Sequence, residues 1–89
     1  MLERTVTIAS AQGLHARPAK IFVEAAARQP VPVFIGVGDR APVPAASMLG
    51  VLALGAVQGT EVVLSAEGDQ AGTALDELAA LLARDLDAD

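Results

Sequence analysis

The apolar residues of this chain switch between a period of two and a period of about 3.6, which limits it to folds that mix strands with helices. Residues 2–8, Leu-Glu-Arg-Thr-Val-Thr-Ile, put Val6 and Ile8 on one side and Thr5 and Thr7 on the other. Alternation with β-branched residues predicts a strand. In residues 16–28, Ala19, Phe22, Val23 and Ala26 fall at i, i+3, i+4 and i+7, one stripe of a helix. Pro18 sits near its start, where a missing N–H costs little, and Pro30 and Pro32 end it.

The switching continues. Val33, Ile35 and Val37 alternate in a second strand, Gly38-Asp39-Arg40 is a turn, and a short third strand is expected at 41–44. Pro42 and Pro44 confine that strand to a sheet edge. Ser47 precedes Met48-Leu49-Gly50-Val51-Leu52-Ala53-Leu54, a short helix capped by the serine. Gly55 and Gly59 break the chain before a fourth strand, residues 60–66. A last helix is expected over 70–86, with Ala71, Ala74, Leu75, Leu78, Leu81 and Leu82 as its stripe. The order β-α-β-β-α-β-α predicts an α+β open-faced β-sandwich, a four-stranded antiparallel sheet covered on one face by three helices. At 89 residues the chain is read as one domain, residues 1–89. A domain of this size leaves little depth for an enclosed cavity, so function is expected on the surface.

Composition removes several classes of function. There is no cysteine for a disulfide or thiolate metal site. With 6 basic against 11 acidic residues and only Phe22 and Phe34 aromatic, nucleic acid is not an expected partner. No apolar run approaches the roughly 20 residues that span a bilayer, and Glu3 and Arg4 break any leader pattern, so a cytoplasmic chain without membrane insertion is expected. Part of the negative charge lies in Asp85-Leu86-Asp87-Ala88-Asp89, expected to be a solvated, fraying tail. One histidine, no cysteine and scattered carboxylates leave no acid–base pair, no metal site and no expected cofactor.

The informative stretch is Gly13-Leu14-His15-Ala16-Arg17-Pro18-Ala19. It places the one histidine where a loop meets a helix N-terminus. Such a terminus has unpaired N–H groups and a positive dipole end, which suit a phosphate. Neutral imidazole is a nucleophile near pH 7. Arg17 can pair with phosphate oxygens, and the main-chain N–H groups of Ala16 and Arg17 can assist. A lone histidine at such a place is ordinarily just a partly exposed capping residue. A plain α+β interaction domain, with this stretch only capping a helix, is therefore the reading from another class, and a buried His15 would favour it.

Gly-Leu-His-Ala-Arg-Pro-Ala resembles the active-site motif of the HPr family, the histidine-containing phosphocarriers of the bacterial phosphoenolpyruvate:sugar phosphotransferase system. Residues 47–55, Ser-Met-Leu-Gly-Val-Leu-Ala-Leu-Gly, are similar to the family's second signature, and residues 61–68, Glu-Val-Val-Leu-Ser-Ala-Glu-Gly, resemble its last strand. The resemblance spans nearly the whole chain and implies the open-faced sandwich read above. It implies that His15 accepts a phosphoryl group on Nδ1, the pros nitrogen, from Enzyme I and passes it to IIA domains of sugar transporters. Arg17 would steady the group, and the protein would be a carrier rather than an enzyme, working as a monomer. A nitrogen-type regulatory carrier fits the same motif.

The resemblance further implies a regulatory role for Ser47, which a dedicated serine kinase phosphorylates in many Gram-positive relatives; here Ala46 stands where a lysine is common. The docking face would lie between the first two helices. Met48 and Leu49 are its best candidates, with Leu52 and Lys20 nearby, and one or two of these apolar residues are expected in the core. Glu24 and Ala27 replace lysines frequent in relatives, so docking on Enzyme I is expected to depend less on salt.

Overall fold

The structure, a computed structural model, describes residues 1–86. Among them the elements run β1 (Leu2–Thr7), α1 (Ala16–Ala27), β2 (Phe34–Gly36), β3 (Val43–Pro44), α2 (Met48–Ala53), β4 (Glu61–Ala66) and α3 (Ala71–Leu82). The four strands form one antiparallel sheet in the order β1-β4-β2-β3. The three helices cover one face, as in the expected open-faced sandwich. β3 is short and lies at an edge, where prolines do least harm to the ladder.

The register explains which face is covered. Val6 lies opposite Val62, Arg4 opposite Leu64 and Leu2 opposite Ala66, while Ile35 also faces Leu64. Directly opposed residues share a face. Val62, Leu64, Ala66 and Ile35 are fully buried under the helices. They meet Phe22 of α1, Val51 of α2 and Leu75 and Leu78 of α3, so both periods of the sequence converge on one core. Arg4 stands on the same face at the sheet edge, and its Nε reaches out to Asp76 Oδ1 at 2.9 Å.

Two expectations at the C-terminal end need correction. α3 ends at Leu82, not at residue 86. Its last bonds run from the Ala83 N–H to Ala79 O and from the Arg84 N–H to Leu81 O, a tightening after which the ladder stops. No glycine or proline marks this stop. The following polar groups are taken instead by the loop after β1, through bonds described below. For the same reason the tail does not fray at its start: Leu86 is fully buried although Asp85 is exposed. Residues 87–89 lie outside the described residues.

Candidate functional site

The loop between β1 and α1 carries the histidine and is anchored at several points. Ile8 exchanges main-chain bonds with Thr60 and Gly59, each at 2.9 Å. The Gly13 N–H bonds Ser10 O at 2.9 Å, and the Leu14 N–H bonds Ala56 O at 2.9 Å. Leu14 fills the core beside it. Gly13 is required twice over. It has φ +69°, and a Cβ there would lie 2.4 Å from Ala56 O and 2.7 Å from Val57 Cα. The loop is thus pressed against the backbone that follows α2, and only glycine permits that approach.

His15 follows as the N-cap of α1, in extended backbone with φ −136° and ψ 147°. Its side chain is exposed and makes no capping bond to the helix. The imidazole is therefore neither a buried core residue nor a side-chain cap, the two structural roles a lone histidine at this place would ordinarily fill. The next residue, Ala16, has φ +46°. A left-handed conformation at a residue with a Cβ costs about 1–2 kcal/mol, so the turn from His15 into α1 is strained. Sequence pattern held no signal for that strain, because alanine is ordinarily a helix former.

Arg17 is exposed in the first turn of α1. The sequence places it two residues from His15, and the structure brings its guanidinium to the other end of the chain, where Nη1 donates to Leu86 O at 3.0 Å. Pro18 and Ala19 pack into the core and fix α1 beneath this pair. Lys20, Glu24 and Ala27 are exposed along the same helix.

α2 begins at its expected cap: the Gly50 N–H bonds Ser47 Oγ at 3.1 Å. Replacing such a cap by alanine costs about 1 kcal/mol. Leu49 is 81% exposed, Met48 36% and Leu52 37%. None of the three is core, contrary to the expectation that one or two would be; Val51 supplies the buried contact of this helix. Arg40 Nη2 donates to Leu54 O at 2.6 Å and so ties the β2–β3 turn to the end of α2, a link the sequence did not announce.

His15 and Arg17 are both exposed at the surface. A cleft of about 410 Å³ between α1 and α3, lined by Ile21, Arg28, Leu81 and Arg84 among others, does not include His15. No helix among the described residues is long and apolar enough to cross a membrane.

Comparison with known proteins shows the family. The family model described as "PTS HPr component phosphorylation site" matches residues 2–84. The phosphocarrier protein HPr of Streptomyces coelicolor is 53% identical over 87 residues, which cover 98% of this chain and 94% of that protein. The HPr of Haloferax volcanii is 49% identical over 82 residues, 91% of this chain and 92% of the relative. The crystal structure of HPr from Bacillus anthracis superposes with a TM-score of 0.85 at 34% identity, covering 91% of this chain and 95% of that one. The chain belongs to the HPr family of phosphocarrier proteins of the phosphotransferase system.

Proposed function

We propose that this chain carries a phosphoryl group on Nδ1 of His15, taking it from phosphorylated Enzyme I and giving it to IIA domains of sugar transporters. The observation that carries the reading is the exposed, uncapped imidazole at the start of α1 with Arg17 in the first turn. As the group arrives, its bond to the donor breaks while the N–P bond to Nδ1 forms. The same exchange runs in reverse toward the acceptor. Transferred phosphoryl groups spread their charge over three oxygens, so catalysis is positioning plus charge stabilisation. Here the N–H groups of the first helical turn and the Arg17 guanidinium supply positive charge to meet it. A surface site with one arginine holds the group loosely enough to let it leave.

In this reading Met48, Leu49 and Leu52 form the apolar centre of the docking face, with Lys20 at its margin. The chain works in the cytoplasm as a monomer and is modified in every cycle, which makes it a carrier rather than an enzyme. The test is incubation with phosphoenolpyruvate and Enzyme I followed by intact mass measurement. One acid-labile phosphate should be gained by the wild type and none by His15→Ala. No gain under conditions that label a control carrier overturns the reading.

A further inference from the structure

Ser10 stands in a loop, yet its side chain is 2% exposed. A buried hydroxyl can both donate and accept, and leaving it unpaired would be costly. Its two partners both belong to the segment after α3. The Leu86 N–H donates to Ser10 Oγ at 2.9 Å, and Ser10 Oγ donates to Arg84 O at 3.4 Å. Neighbouring bonds sew the same two stretches together: the Ala9 N–H to Leu82 O at 3.1 Å, and the Ala11 N–H to Asp85 Oδ1 at 3.4 Å. Leu86, whose N–H Ser10 holds and whose side chain is fully buried, is the residue whose carbonyl accepts from Arg17.

We infer that Ser10 is a positioning residue for phosphoryl transfer, acting through Leu86 on Arg17. This rests on the function proposed above. By holding the Leu86 N–H, Ser10 pins the residue whose carbonyl, in the next peptide unit, accepts from the guanidinium. A phosphoryl group on His15 draws on the same guanidinium, so it competes with that carbonyl over where Arg17 is placed. The competition limits how strongly the phosphorylated state is stabilised, which suits a group that must be passed on. Ser10 touches neither His15 nor the transferred group in this role.

The test has two arms. In the first, the unphosphorylated protein is followed by nitrogen NMR of the Arg17 guanidinium and by amide hydrogen exchange at Leu86. Ser10→Ala should shift the guanidinium signals and speed Leu86 exchange, while Ser10→Thr, which keeps the hydroxyl, should restore both. In the second arm, the phosphoryl-exchange equilibrium with Enzyme I and phosphoenolpyruvate is measured. Ser10→Ala should move it toward the phosphorylated chain by about fivefold, the worth of one net hydrogen bond. In an Arg17→Met background the same substitution should move it by less than about 1.5-fold, because the effect runs through the arginine. Should the alanine variant fold poorly, Ser10→Cys supplies the same comparison.

Unchanged Arg17 signals in Ser10→Ala overturn the proposal. So does an equal shift with and without Arg17, which would mark Ser10 as merely structural. A wild-type chain that takes no phosphate at all sinks the carrier function, and the phosphoryl role of Ser10 with it, while the NMR arm still decides whether Ser10 governs Arg17.

Discussion

The guanidinium of Arg17 rests on the main-chain carbonyl of Leu86, at 3.0 Å and 69 residues away in sequence. An arginine in the first turn of α1 is thereby held by the segment after α3, although His15 lies only two residues before it. A phosphate on His15 would draw on the same guanidinium, and its oxygens are charged acceptors where the Leu86 carbonyl is a neutral one. Hydrogen bonds to charged groups contribute more, about 1.5–3 kcal/mol against about 1 for neutral pairs.

Arg17→Met should therefore lower phosphoryl transfer to a IIA domain by about 10- to 100-fold, the loss of one such charge-assisted contact. Its folding midpoint in urea should move little, because the bond to Leu86 is made by an exposed side chain. Rapid-quench transfer rates together with urea titration check both halves. A wild-type transfer rate would remove Arg17 from the site.

Gly13→Ala should destabilise the fold by about 2 kcal/mol or more. The added Cβ would collide with backbone atoms of Ala56 and Val57, which have no flexible end to move aside, and φ +69° is strained for alanine in any case. Chemical denaturation measures the loss. The shift should extend to the amide signals of Leu14 and His15, since Leu14 is bonded to Ala56 O.

Ala16→Gly should stabilise the protein by up to about 1 kcal/mol. Relief of the left-handed strain at φ +46° outweighs the extra entropy glycine brings to the unfolded chain. Ala16→Val should have the opposite sign, because a β-branched side chain tolerates that backbone least. Thermal melts of the three proteins order them as Gly, Ala, Val if the strain is present in solution.

Leu49→Ala separates folding from docking. At 81% exposure Leu49 should contribute less than about 0.5 kcal/mol to stability. Affinity for Enzyme I, read by calorimetric titration, should fall by about 5- to 30-fold if Leu49 sits at the apolar centre of the docking face. An unchanged affinity would move that centre elsewhere.

Local periodicity was enough to read the element order, the single layer of helices, the serine cap of α2 and the edge placement of β3. Each depends on neighbours only a few residues apart: Val6 with Ile8, Phe22 with Ala19 and Ala26, Ser47 with Gly50. The choice of His15 and Arg17 was legible for the same reason, because they share one short stretch at a helix start. What the sequence could not determine involves partners distant along the chain. Nothing in the sequence near Ser10 or near the end of α3 marks the bonds among Ser10, Arg84 and Leu86, so periodicity alone carries α3 on to residue 86. Tertiary structure decided where α3 stops, which face of α2 is open, the strain at Ala16 and the resting place of Arg17. All four are settled by satisfying main-chain polar groups and filling a core across elements that meet only when the chain has folded.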